Sequence, residues 1–210
     1  MSTTKEIEKE LNVGQRGPVE HERRDQIIQS ADEHFRKYGY QKTTVSDLSK
    51  AIGVSSAYIY RFFESKQAIG EAICTMTLGR IGDTILEIAN SDQSASNRLR
   101  KLYKAMVDKG FELFFNDRKL HDIVIAAING KWSSVVGYRE VKLSAIRKIV
   151  VDGRESGEFE RKTPLDETCL AILETLAPFA HPILLEQNDP EGLYESASAV
   201  SSLVLRSLAP

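Results

Sequence analysis

Cysteine is scarce in this chain, with only Cys74 and Cys169 among 210 residues. They lie far apart, with no CxxC pair and no neighbouring histidine, so neither a zinc site nor a redox pair is signalled, and a reducing compartment is the natural reading. Long apolar runs are missing as well. The longest stretch free of acids and bases, Thr175 to Leu185, has 11 residues and contains Pro178 and Pro182, against the roughly 20 apolar residues that a spanning helix needs. The first 25 residues hold no apolar core of the secretory kind, which points to a cytoplasmic protein with no membrane partner. Strand patterns are nearly absent, and so is any excess of one charge: 28 Lys and Arg stand against 30 Asp and Glu. With 41% hydrophobic residues the composition excludes a disordered chain. A chain of this length buries roughly 70% of its unfolded surface, enough for a core without staples.

The balanced total hides a mild asymmetry. Residues 16 to 66 carry nine Lys/Arg and seven Asp/Glu, so this part is slightly basic and the remainder acidic, the sign a nucleic-acid-binding N-terminal part requires.

Helical periodicity runs almost throughout. Ile27, Ile28, Ala31, Phe35 and Tyr38 recur at three- and four-residue spacing within Glu22 to Tyr38, and Gly39 supplies the stop. Thr44, with Asp47 three residues on, forms a near capping box for a short helix that Gly53 ends. Ser55 is a good N-cap for a third helix running to about Phe63, and Ser65 caps a fourth, longer one. After a polar loop at Ser91 to Ser96 the pattern predicts helices over Leu99 to Phe115, Leu120 to Trp132 and Tyr138 to Ser156, with Gly137 as punctuation. Leu165 to Glu186 is helical but bent or broken by Pro178 and Pro182, and a last helix follows Asn188-Asp189-Pro190. The fold class is therefore all-α, with no internal repeat. Three parts are expected: a flexible tail at 1–21, a helix-turn-helix domain at 22–69, and a helical domain at 70–210.

Two short helices joined by Gly53-Val54-Ser55 make a helix-turn-helix. Val45, Leu48, Ile52, Val54 and Ile59 supply the apolar wedge that fixes the angle, leaving Ser56, Ala57, Tyr58 and Arg61 for the other face. Small side chains there allow close approach to a major groove, where Tyr58 can meet a base edge or a thymine methyl. Seven of the 16 aromatic residues lie between Phe35 and Phe63. Tyr38, Tyr40 and Phe63 read as packing, whereas Tyr58 and Tyr60 cannot both be core with Ile59 between them.

The run TTVSDLSKAIGVSSAYIYRFFESKQAI, residues 43 to 69, resembles the DNA-binding domain of the tetracycline-repressor (TetR) family of bacterial transcriptional regulators. Its specific part is T-x-x-x-[ILV]-[AS]-x-x-x-G-V-S, a Tyr five residues after Ser55, and then Phe-x-S-K. The resemblance implies DNA contacts at Thr43, Thr44, Ser55, Ser56, Ala57, Tyr58, Tyr60, Arg61 and Lys66. Thr44 and Tyr60 would hold phosphates and Ser56 to Tyr58 would face bases. Lys66 would grip the backbone with its ammonium and the helix amides. Two positions depart from the family pattern: Arg61 stands where His is frequent, and Phe62 where a hydroxylated or indole aromatic is common, so Arg61 is expected to take over the phosphate contact.

The rest of the chain holds no catalytic constellation, no metal-ligand spacing and no nucleotide motif, so no enzyme activity, metal or cofactor is expected. The resemblance implies an all-helical domain that binds an effector and forms a homodimer. Tyr103, Phe111, Phe115 and Trp132 are the aromatic candidates for an effector pocket, which would favour an apolar or aromatic small molecule; core packing is the alternative for each. The stripe Leu193, Ala197, Val200, Val204 and Leu208 on the last helix is the candidate dimer face, unless it packs against its own core. The expected function is a repressor, released by its effector from a palindromic operator on double-stranded DNA. The alternative is an activator or nucleoid-associated factor whose C-terminal domain recruits a protein.

Overall fold

The computed structural model describes residues 18–114, 120–181, 184–185 and 188–210. Among them there is no strand, and helices α1 (Pro18–Tyr38), α2 (Val45–Ile52), α3 (Ser56–Tyr60), α4 (Lys66–Ala89), α5 (Ala95–Phe114), α6 (Leu120–Asn129), α7 (Ser133–Glu155), α8 (Leu165–Thr175) and α9 (Pro190–Ser207) follow in order, with a 3₁₀ turn at Ala177–Phe179. None of the described helices is long and apolar enough to cross a membrane.

Local chemistry sets most boundaries. Thr44 accepts from the Asp47 amide while the Asp47 carboxylate accepts from the Thr44 amide, so the capping box is complete with Asp in place of Glu. Gly53 ends α2 at φ 78°, a left-handed conformation that costs a glycine nothing. Ser55 and Ser65 cap α3 and α4 through their hydroxyls. Several boundaries differ from the sequence pattern, α5 starting at Ala95 and α6 closing at Asn129 among them. Helix α1 takes in residues 18–21, and the rest of the expected tail lies outside the described residues. Helix α3 closes at Tyr60. Gly137 does not punctuate: it sits inside α7 on an exposed face, where a Cβ would meet nothing within 4 Å. The proline segment breaks as the pattern expects, Pro178 falling in the 3₁₀ turn; Pro182 lies outside the described residues.

Helices α1 to α3 close on Phe35, Leu48 and Ile59, all almost wholly buried, and α1 also packs on α4. The long α4 then packs most extensively against α7, while α9 lies on α5 and α8 on α7. The end of the α4–α7 pair remote from α1 to α3 is tied twice. Arg98, 5% exposed, donates to the Ala89 carbonyl at 2.7 Å and to Asp152 at 2.7 Å, linking α4, α5 and α7. Glu158, just beyond α7, accepts from the Ala95 and Ser96 amides and so caps α5 from outside the helix. Burial works against ionisation of that carboxyl, yet these hydrogen bonds hold it below the ordinary range. The neighbouring Phe159 ring lies on Gly153, where a Cβ would come within 2.2 Å of it; only glycine lets the ring lie so close to α7.

Candidate DNA interface and effector cavity

The helix-turn-helix presents a defined outer face. Thr44, Ser55, Ala57, Tyr60 and Arg61 are exposed, Tyr60 at 53%. Arg61 reaches Glu20 at 3.6 Å and lies over the rings of Tyr58 and Phe62, at 5.9 and 5.5 Å. Tyr58 is half-buried with its ring 5.3 Å from Phe62. The face therefore consists of small residues, one projecting phenol and a guanidinium, a set that can approach a groove and touch phosphates.

Three residues expected on this face are engaged elsewhere. Thr43 is 2% exposed and its hydroxyl donates to the Gly39 carbonyl at 2.8 Å, so it fastens the turn after α1 and does not point outward. The Ser56 hydroxyl shares a 3.0 Å hydrogen bond with Ser49 inside the helix pair. Lys66 turns its ammonium onto the Tyr40 carbonyl at 3.1 Å and over the Tyr40 ring at 4.5 Å, and desolvation there holds its pKa below the ordinary lysine value. Tyr38, read as packing, is 51% exposed, whereas Tyr40 and Phe63 are buried as expected.

In the C-terminal part, α4, α5, α6, α7 and the 3₁₀ turn line a cavity of about 220 Å³ that is partly open to solvent. Its wall is aliphatic: Leu78 and Ile81 from α4, Met106 and Leu113 from α5, Val124 and Ile128 from α6, and Val135 from α7. Tyr138, Lys109, Lys142 and His181 are the wall's aromatic and polar side chains. Of the aromatic residues chosen from the sequence, Tyr103, Phe111 and Trp132 are not in this wall. Tyr103 is sealed in the core, its ring 6.1 Å from Phe179 and its hydroxyl bonded to Thr175. Phe111 lies 5.6 Å from Tyr194, and Phe115 lies outside the described residues. Trp132 is a junction residue: 5% exposed, it meets Tyr40 edge to face at 5.9 Å, and the two rings sit tightly on Gly70, each 3.0 Å from where a Cβ would stand. Sequence spacing could not separate core from cavity, because both put apolar residues on inward helix faces.

One cavity wall reaches toward the helix-turn-helix. Trp132 is the N-cap residue of α7, and Val135 and Tyr138 stand one and two turns further along the same helix. On the facing helix, Glu71 accepts from both the amide and the hydroxyl of Ser133, at 2.7 and 2.6 Å. Trp132 and Ser133 thus join the start of α7 to Tyr40 and to the first turns of α4.

The candidate dimer stripe is divided. Leu193, Ala197 and Leu208 are buried within the chain, which corrects their assignment to a dimer face. Val200 and Val204 are half-buried, and Leu203 on α9 and Leu170 on α8, at 61% and 47% exposure, are apolar residues that face outward. Both cysteines are buried, and Cys74 is pushed up to about 12 by burial, so it is not a poised nucleophile at neutral pH. Among the described residues no group of three or more His, Cys, Asp or Glu could hold a metal.

Comparison with known proteins agrees with this division of labour. Residues 27–73 match the family described as bacterial regulatory proteins, tetR family, and residues 95–201 match the tetracyclin repressor-like C-terminal domain. The HTH-type transcriptional repressor Rv1474c of Mycobacterium tuberculosis is 45% identical over 47 residues, covering 22% of this chain and 25% of that protein, so the match spans about a quarter of the curated relative. A TetR-family transcriptional regulator from Pectobacterium atrosepticum shares the fold with a TM-score of 0.73 at 18% identity, over 92% of this chain and 98% of the other. The regulator FadR from Bacillus subtilis, in complex with stearoyl-CoA, does so with a TM-score of 0.63 at 21% identity, over 86% and 96%. With both of its domains matched, over more than half of its length, the chain belongs to the TetR family of DNA-binding transcriptional regulators.

Proposed function

We propose that this regulator is a homodimeric repressor, released from a palindromic operator when a small apolar molecule enters the cavity between α4 and α7. The observation that carries the reading is that α7 forms a wall of the cavity and also starts at the Trp132–Tyr40 junction. A ligand that prefers one placement of α7 shifts the heads by its differential affinity for the two placements. The FadR complex with stearoyl-CoA lends support to an effector with an apolar body. For the dimer, Leu203, Val204 and Ala171 line a groove of about 400 Å³ between α8 and α9, and Leu170 is exposed on α8. An exposed apolar surface of that kind suits a second copy, and two-fold pairing places two recognition helices about one helical turn of DNA apart.

The first experiment is selection of bound duplexes from a random library by the full chain at physiological salt. Enrichment of an inverted repeat supports the dimeric operator reading; an asymmetric site or no enrichment at all counts against it.

The exposed face of α3 predicts a division between its residues. Arg61→Ala is expected to weaken specific and random duplexes alike and to reduce the salt slope by about one unit. Tyr58→Ala is expected to relax preference at particular bases by about 1–3 kcal/mol. Binding titrations at several salt concentrations read both effects, with circular dichroism to confirm that the head still folds. If both variants lose the same factor on every sequence, the division of roles is wrong.

A further inference from the structure

The cavity wall carries more cationic and donor capacity than its apolar character calls for. Lys142 is half-buried with its ammonium 4.7 Å above the Tyr138 ring, and among the described residues it has no carboxylate within ion-pair distance. The nearest charges act at longer range and in opposite senses: Glu174 attracts, Arg139 repels, and those two are paired with each other at 3.3 Å. Desolvation consequently pulls the Lys142 pKa below the ordinary lysine value. Two further groups on the same wall are under-used. The buried Nδ1 of His181 has no hydrogen-bond partner among the described residues, and the Tyr138 hydroxyl donates only to the Met106 sulfur, at 3.8 Å, a weak acceptor. The other cation of the wall, Lys109, is already spent on Glu112 at 2.7 Å.

A partly desolvated ammonium without a counter-ion is costly, and so is a buried ring nitrogen without a partner. Such groups persist in a wall when a ligand completes them. We infer that the cavity takes an amphipathic organic carboxylate, its anionic head on Lys142, Tyr138 and His181 and its apolar body among the aliphatic side chains. This rests on the reading of the cavity as the effector site and goes beyond it by naming the charge and position of the head group. A volume of about 220 Å³ is below the roughly 300–1,000 Å³ usual for drug-sized ligands, so the body is an acyl chain of moderate length or a single substituted ring.

The test uses three probes with one tail: decanoate, decanamide and 1-decanol, titrated calorimetrically into the full-length protein and into Lys142→Met, with Lys142→Gln as a second variant should Met disturb folding. Wild type is expected to bind decanoate at least tenfold more tightly than either neutral probe. That preference should shrink to within about twofold in the Lys142 variants, while their affinity for 1-decanol stays the same or rises. Equal binding of all three probes by wild type overturns the inference but leaves the effector reading intact, since an apolar ligand still enters. A carboxylate preference that survives in both Lys142 variants overturns the placement of the head group, as does failure of wild type to bind decanoate. Decanoate affinity unchanged by a cavity-filling Ala180→Phe places the binding elsewhere and removes the effector reading along with the inference.

Discussion

Trp132→Ala is expected to give a protein that folds less stably and binds its operator without responding to effector. The stability cost follows from burial. Trp132 is 5% exposed, packs on Tyr40, and fits against Gly70 with its ring 3.0 Å from where a Cβ would stand. Truncating a large buried aromatic costs about 3–5 kcal/mol, including an edge-to-face contact worth about 0.5–1.5 kcal/mol. The loss of response follows from position, because Trp132 is the contact through which α7 meets the segment after α1. Helices α2 and α3 keep their own core of Leu48 and Ile59, so the DNA-reading face survives. Thermal unfolding reads the first effect and operator titration with and without decanoate reads the second. Trp132→Phe should recover part of both. A Trp132→Ala protein in which effector still lowers operator affinity by the wild-type factor would show that coupling runs by another route.

What was legible in the sequence was local chemistry. Thr44, Asp47, Gly53, Ser55 and Ser65 announce the ends of α2, α3 and α4 because a cap acts on amides within three residues of itself. The wedge of Leu48 and Ile59 was equally readable from periodicity. Gly137 misled because glycine marks a helix end only where the backbone must turn left-handed, and on the outer face of α7 it merely leaves a gap. Thr43 misled because a hydroxyl beside the turn can serve Gly39 as readily as a phosphate. The cavity was beyond reach for a different reason: Lys142 and His181 come from separate elements, and nothing local to either residue marks it as part of a shared wall. Their significance appears only when the counter-ion that Lys142 lacks and the hydrogen-bond partner that the His181 Nδ1 lacks can be seen to be absent from the described surroundings.

The other large effect is expected at the far end of the same helix pair. Asp152→Ala should cost about 3 kcal/mol, near the lower end of the roughly 3–5 kcal/mol for breaking a buried ion pair, because the Asp152 side chain is 25% exposed whereas that of Arg98 is 7% exposed. The variant leaves Arg98 buried with only the Ala89 carbonyl to receive its charge. Replacing both partners by apolar residues, Arg98→Met with Asp152→Leu, should cost less than Asp152→Ala alone, since no stranded charge remains. The pair also sets an acid limb. Hydrogen bonds from Lys148 and then Arg98 hold the Asp152 carboxyl below its ordinary value. A lowered folded-state pKa gives a contribution that is present in full above the ordinary carboxyl range and is lost as pH falls through it towards the folded value. Denaturant unfolding between about pH 3 and pH 6 should therefore show a shallower acid limb for Asp152→Ala than for wild type; parallel limbs would mean that the carboxyl does not titrate with folding. The functional consequence follows from where the clamp sits. Arg98 ties α4 and α7 at the end remote from Trp132; on the proposed release mechanism, a ligand between them would move α7 about that fixed point and carry the motion to the DNA-reading end. Loosening the clamp should leave operator affinity nearly unchanged but reduce the factor by which effector lowers it, as both ends of α7 then yield.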